Sequence, residues 1–336
     1  MNILLQHRHA KMYGLLAGTL LLLLCMLASM LFGLQQFRLE TLWQAWTRFD
    51  GSVEHLIIMD TRVPRAFIGA IVGGSLAMAG AMMQVLTKNP LASPSILGIN
   101  AGAVLFLVIG ISLLGSQLTL SAMIWVALIG ASITAAVVFL LSSQGAEGYT
   151  PIKLTLAGAA IAAFGSSVTS GIMLIDKQSL DQAMFWLVGS VAGRELDHLY
   201  VVLPYLLLGW LLTFALSGKF NIMALGDDVS RGLGQRVWLV RLLSGLAVVM
   251  LAGSSVAIAG PIAFVGLIVP HLCRYLVGND HRWLLPYCGL TGAILLVAAD
   301  VGSRFLLMPK EVPVGVMTAF LGVPFLIYIA RRRTYV

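Results

Sequence analysis

Charge is the scarcest property of this 336-residue sequence. Asp, Glu, Lys and Arg together make up 10% of it, against about 25% in an average soluble domain. Hydrophobic residues supply 59%. No polar stretch is long enough to be a separate soluble domain. These shortages exclude an ordinary water-soluble enzyme and point to an integral membrane protein. The three cysteines, Cys25, Cys273 and Cys288, lie in or beside apolar runs. Their odd number and unpaired spacing argue against a disulfide framework or a metal site. The six histidines form no metal-spaced pair on a helix. The nearest approach to a phosphate loop, Ser217-Gly218-Lys219-Phe220, lacks the upstream Gly and the Ser or Thr after Lys. No nucleophile sits with a base. The chain is therefore expected to bind no cofactor, to use no metal and not to be an enzyme by itself.

Ionisable groups are also missing from the middles of the apolar runs. An ion-coupled secondary transporter needs such groups, because coupling happens inside the membrane. That reading and a passive channel are therefore the weaker alternatives. Asp300 and Arg304 stand four apart at one run's end, the spacing of a helix-end ion pair. His271, after Pro270, reads as a structural histidine. The net charge of +7 says less about nucleic acid than about topology, since in a membrane protein its distribution over the loops matters most.

About ten apolar runs are present, near 14–34, 62–86, 96–114, 119–142, 154–175, 199–217, 239–260, 262–277, 284–304 and 313–330. Roughly twenty apolar residues cross a bilayer core, and backbone groups in lipid must pair within a helix. The expected fold is thus an all-α integral membrane bundle, residues 1–336 forming one transmembrane domain. The first run is too long for a signal-peptide core and reads as an uncleaved span. The eighth shares Gly260-Pro261 with the seventh, and reads as partly enclosed by the bundle. With the N-terminus placed inside, thirteen of the 21 Lys and Arg residues fall on the cytoplasmic side and eight outside. The positive-inside rule then puts both termini in the cytoplasm.

Two connections stand out. In loop 35–61, Leu39, Leu42, Trp43 and Trp46 are helically spaced, as in a short helix at the membrane surface. The inner loop 219–238, KFNIMALGDDVSRGLGQRVW, is polar and punctuated by glycine. Asp227-Asp228 followed by Arg231 is the polarity a short helix dipole prefers. Segment 183–193, AMFWLVGSVAG, is apolar but too short to span.

Several strings recur in one order along the chain: RVPR at 62–65, GGSLAMAGAMMQ at 73–84, NPLASPSILGINAGA at 89–103, ALGDDVSRGLG at 224–234, GPIAFVGLIVPHLCR at 260–274 and DVGSRFLLMPKEVPVGVMTAFLGVPFLIYIARR at 300–332. In these the chain resembles the FecCD-type permeases, membrane subunits of ATP-binding-cassette importers for ferric siderophores, haem and cobalamin. It departs from the family slightly, with Val63 and Val312 where Leu is common.

The resemblance implies a bundle like the cobalamin-importer permease. It implies a place in the cytoplasmic (inner) membrane of a prokaryote, amid membrane lipid. It also implies partners: ABC ATPase subunits that carry ATP and Mg, a periplasmic or lipid-anchored substrate-binding protein, and a second permease subunit, identical or paralogous. A ferric siderophore is the expected cargo, with haem or cobalamin the alternatives. Leu225, Gly226, Asp227, Ser230, Arg231, Leu233 and Gly234 would contact the ATPase. Asn89, Pro90 and Leu91, with Thr150 and Pro151, would flank an inner gate. Arg62, Arg65 and Arg304 would form a basic pocket that receives carboxylates of the binding protein. Asp60, Asp300 and Glu311 lie near enough in sequence or span to pair with these arginines instead.

Overall fold

A computed structural model describes residues 4–115, 118–144, 149–176, 183–184, 186–327 and 331, together with the backbone of 328–330 and 332. Its helices are α1 (Arg8–Leu31), α2 (Leu39–Thr47), α3 (Val53–Leu86), α4 (Ile99–Leu114), α5 (Leu120–Ser143), α6 (Pro151–Ile175), α7 (Leu196–Met223), α8 (Asp227–Gly232), α9 (Val237–Ala259), α10 (Val265–Val277), α11 (His281–Ser303) and α12 (Val314–Arg332). Every one of the ten apolar runs is helical. Seven helices, α1, α3, α5, α6, α7, α9 and α11, are long and apolar enough to cross a membrane; α4, α10 and α12 are shorter apolar helices.

The bundle is built around α3. Of its most apolar stretch 83% is buried, against 6% for α1 and 17% for α6. Small residues make this central position feasible. A Cβ at Gly73 would stand 2.3 Å from the Gly292 carbonyl oxygen of α11, and one at Gly80 would stand 1.9 Å from the Gly266 oxygen of α10. Backbones that approach this closely leave room for hydrogen only. In lipid, association rests on such close packing. Near its start, α3 contains a wide turn at Ile57–Arg62, where Val63 N–H reaches back to Ile58 O. Pro64, which has no N–H to donate, follows at once.

Helix α10 has 13 residues and is about 20 Å long at 1.5 Å per residue, short of the roughly 30 Å hydrocarbon core. The chain reaches it through a non-helical stretch from Gly260 (φ +73°) to Phe264 (φ +69°). Irregular backbone inside an apolar bundle needs partners within the protein; Phe264 O accepts from Leu267 N–H at 3.0 Å and Ile268 N–H at 2.9 Å, and segment 183–193 is tied in just beside the stretch. Ser190 N–H donates to Ala259 O at 2.7 Å, and Gly315 N–H to Gly189 O at 3.0 Å. Within segment 183–193, Ala183, Trp186 and Val191 are buried; Phe185 lies outside the described residues.

Two elements differ from expectation. Loop 219–238 is shorter than the sequence implies, because α7 continues to Met223. What remains is a turn, the six-residue α8 and a second turn. The long outer loop holds α2, with Trp43 and Trp46 both exposed, and the beginning of α3.

The polar residues collect at the two ends of the bundle. At one end Leu5 N–H donates to Leu276 O (2.9 Å), Tyr287 Oη to Lys11 O (2.7 Å), and Asn221 Nδ2 to Asp280 Oδ1 (2.6 Å). The N-terminal segment, the α7–α9 connection and the α10–α11 turn therefore share that end. Arg62, Arg65, Arg304 and Glu311 share the other.

Candidate functional site

At the second end, the three arginines named from sequence do come together, but facing inward. Asp300 of α11, 2% exposed, accepts from Arg65 Nε at 2.9–3.0 Å and from Arg65 Nη2 at 2.8 Å. It also accepts from Arg304 Nη2 at 2.6 Å, the helix-end pair expected from the i,i+4 spacing. Arg65 Nη1 reaches Glu311 Oε2 at 2.5 Å. Other donors of Arg304 and Arg62 go to the end of α1 and the residues just after it, while Arg304 Nε is left without a partner among the described residues. Arg304 Nη1 donates to Ser29 O (2.6 Å) and Phe32 O (2.8 Å), and Nη2 to Ser29 Oγ (2.7 Å). Arg62 donates to Phe32 O at 3.1 Å and Gln35 O at 3.5 Å.

A helix ends with unpaired carbonyls and partial negative charge. Here guanidinium groups from two other helices satisfy them. All three arginines are buried, so Asp300 and Glu311 pair as local carboxylates, while Asp60 stays exposed. The edge that Arg65 shares with Glu311 borders a cavity of about 580 Å³ lined also by Met184, Val188, Ser190 and Ala192.

A second cavity, of about 330 Å³, lies between α4 and α6 beside Pro261 and is lined by Ser95, Asn100, Ser166, Thr169 and Ser170. Hydroxyls scattered through apolar runs gave no separate signal in the sequence. At helical spacing Ser166, Thr169 and Ser170 share one face of α6, which is the one pattern that could have revealed them.

At the first end, α8 carries three of the seven residues predicted to contact an ATPase, Asp227, Ser230 and Arg231, and the other four flank it. Leu225 and Leu233 are exposed, and so is Val229 midway between them. Val229 and Leu233 are four apart and joined by the Leu233 N–H to Val229 O bond, so they form an apolar stripe on one face, while Leu225 stands just ahead of the helix before the extended Gly226; the sequence reading missed Val229. Arg231 projects outward, its side chain 66% exposed. Gly226 (φ +114°) and Gly234 (φ +78°) bound the helix in conformations that favour glycine.

Ser230 requires a correction. It is fully buried, and its Oγ lies 3.1 Å from Ile222 O and 2.7 Å from Gly226 O. It anchors α8 to the end of α7 and presents nothing outward. Asp227 also faces inward, to Lys88 Nζ at 3.2 Å and to the Arg241 guanidinium. Burial works to raise the Asp227 pKa, but the contacts from Arg241 and Lys88 outweigh it and hold the carboxyl below its ordinary value. These contacts are therefore in place above the usual carboxylate range and are lost as pH falls through the lowered value.

The proposed gate residues lie alongside. Asn89 Oδ1 accepts from Leu91 N–H at 2.9 Å, closing a tight turn that contains Pro90 and leaves Leu91 exposed. Thr150 caps α6, accepting from Lys153 N–H at 3.3 Å, with Pro151 as its first residue. Tyr149 Oη donates to Leu86 O at 3.2 Å, which ties the residue before Thr150 to the end of α3, three residues before Asn89.

Among the described residues no group of three or more His, Cys, Asp or Glu could hold a metal ion. The FecCD transport family model matches residues 21–332. The chain is 52% identical over 312 residues to the probable siderophore transport system permease protein of Bacillus subtilis (strain 168), covering 93% of each. It is 42% identical over 318 residues to the ferric enterobactin transport system permease protein of Escherichia coli (strain K12), covering 94% of this chain and 95% of that one. Among solved structures it resembles a metal-chelate type ABC transporter in an inward-facing conformation, with TM-score 0.84, 28% identity and coverage of 95% and 98%.

The arginine network yields a stability prediction. Asp300→Asn leaves two buried guanidinium groups with a neutral partner, and breaking a buried pair this way costs about 3–5 kcal/mol. Thermal unfolding in detergent should show a large loss for Asp300→Asn and a small one for Glu311→Gln, whose partly exposed carboxylate water can replace. Equal melting of Asp300→Asn and wild type would remove the network's structural role.

Proposed function

The chain belongs to the FecCD transport family, and from that premise we propose that it is the permease of an importer that carries a ferric siderophore inward across the cytoplasmic membrane of a prokaryote. It is a transport subunit and not an enzyme. The names of its relatives, a siderophore and a ferric enterobactin permease, support the cargo class. A second copy or a paralogue would complete the pathway. Helix α6, only 17% buried, offers it a long unpartnered surface next to the hydroxyl-lined cavity.

The observation that carries the ATP-driven reading is the apolar stripe on α8. A solvated loop has no use for Val229 and Leu233 on one face with Leu225 also exposed just before it, whereas a cleft in a partner ATPase would cover them. With ATP and Mg bound by that partner, this chain needs no nucleotide site. The scarcity of carboxylates inside the spans supports the same division of labour. The turns at Asn89–Leu91 and at Thr150–Pro151 would then form the inner gate.

For delivery, the edge of Arg65 beside Glu311 is the part of the arginine cluster that borders open space. An incoming carboxylate of a binding protein would exchange with Glu311 there, since a guanidinium fork can take a carboxylate on either edge. Arg62 and Arg304 would hold this edge in place from behind.

Three experiments test the reading. Val229→Glu with Leu233→Glu should leave the chain inserted but lose the ATPase on co-purification and abolish uptake; a retained ATPase refutes the docking face. Cysteines replacing Arg48 and Asp228, both exposed, should label from opposite sides of the membrane if both termini are cytoplasmic and the spans number ten. Labelling from one side contradicts that topology. Glu311→Gln removes the carboxylate that competes for Arg65 and should strengthen capture of the binding protein. Unchanged capture would leave Arg65 a purely structural group.

A further inference from the structure

Asp227, Lys88, Leu86, Tyr149 and Arg241 close a ring of contacts that no stretch of sequence suggests. Asp227, first residue of α8, pairs with Lys88 Nζ at 3.2 Å and with the Arg241 guanidinium of α9. The Arg241 guanidinium lies 4.3 Å from the centre of the Tyr149 ring, within cation–π range. Tyr149 Oη returns to Leu86 O at 3.2 Å, two residues before Lys88. The ring thus joins three separate parts: the docking helix, the turn leading to Asn89–Leu91, and the turn leading to Thr150–Pro151.

The contacts on its two sides differ in kind. Towards α7, α8 is held by neutral bonds, from Ser230 Oγ to Ile222 O and from Gln235 Nε2 to Lys219 O at 3.3 Å. Towards the gate, among the described residues, its polar side-chain contacts are those of the Asp227 carboxylate with the two cations. Lys88 itself has φ +50°, a left-handed conformation uncommon outside glycine, asparagine and aspartate. Such a conformation persists where the surroundings impose it, and the pair with Asp227 is one such constraint. Arg241 is buried and Lys88 about half exposed, so the ring has one fixed arm and one free to move.

We propose that Asp227 is a coupling residue, whose carboxylate carries displacement of α8 to both gate turns through Lys88 and through Arg241 and Tyr149. The proposal rests on the reading of α8 as the ATPase docking helix. Its own content is that the docking helix and the gate are linked by charge at one residue. A ring of ion pairs suits this use better than apolar contact, because a carboxylate can exchange cations as helices shift without opening a cavity.

The test uses the complete complex of permease, ATPase and binding protein in proteoliposomes, and reads cargo imported per ATP hydrolysed. Lys88→Met removes the mobile arm from outside α8, where it cannot alter the docking face. Asp227→Asn removes the shared charge, and Asp227→Glu keeps it. Uptake per ATP should fall about tenfold in Lys88→Met and Asp227→Asn, within the range typical of coupling between sites, and recover substantially in Asp227→Glu. A wild-type ratio in Lys88→Met with ATPase bound overturns the proposal and leaves the docking reading intact. A wild-type ratio in Asp227→Asn, or loss of ATPase from Asp227→Asn beside a normal Lys88→Met, also overturns it. Loss of the docking reading shows separately, as ATPase retained by the Val229→Glu, Leu233→Glu variant.

Discussion

A carboxylate shared by two arginines inside an apolar bundle is the interaction on which one end of this molecule depends. Asp300 takes hydrogen bonds from Arg65 and Arg304, and the spare donors of Arg304, with those of Arg62, satisfy the carbonyls that end α1. Each member would be costly alone. A buried charge without a partner is penalised by several kcal/mol, and so is a helix end whose carbonyls face no donor. Assembled, they fix α1, α3 and α11 to one another at a depth where loose packing would otherwise suffice. This matters most for α1, which buries little of its own surface.

The opposite end uses the same chemistry with a looser fit. Asp227 also serves two cations, but its side chain remains about a quarter exposed and Lys88 about half exposed. Water can replace what a moving helix gives up there. The contrast follows from position: the network around Asp300 holds long helices together, while the one around Asp227 joins short segments. Between the two ends the helices meet through a large apolar core, and glycine backbones permit the closest approaches without charge.

Much of this was legible in the sequence, and what was not shares a cause. Apolar runs locate every long helix, since hydrophobic length is a local property. The Asp300–Arg304 pair was legible because helix spacing alone predicts it. The partnership of Arg65 with Asp300 was only one of two options, because 235 residues separate them and no local rule chooses. Ser230 looked available for a partner protein because its polarity suggests exposure; burial beneath α8 is decided by how that helix folds back on α7. Val229 was passed over because an apolar residue in a polar loop gains meaning only once its neighbours are placed on a helix face. The hydroxyls of α6 were hidden by the same averaging that makes an apolar run easy to find.

The long separation of Arg65 from Asp300 also bears on how the molecule is made. A ribosome delivers Arg65 to the membrane 235 residues ahead of the carboxylate that neutralises it. Until α11 arrives, that guanidinium must stay in water or among lipid headgroups at the end of α3, as must Arg62 beside it. The first three helices therefore cannot adopt their final depth and register on their own. Completion of the outer end is deferred to late synthesis, and a chain truncated before α11 would present unneutralised arginines to the machinery that inspects nascent membrane proteins.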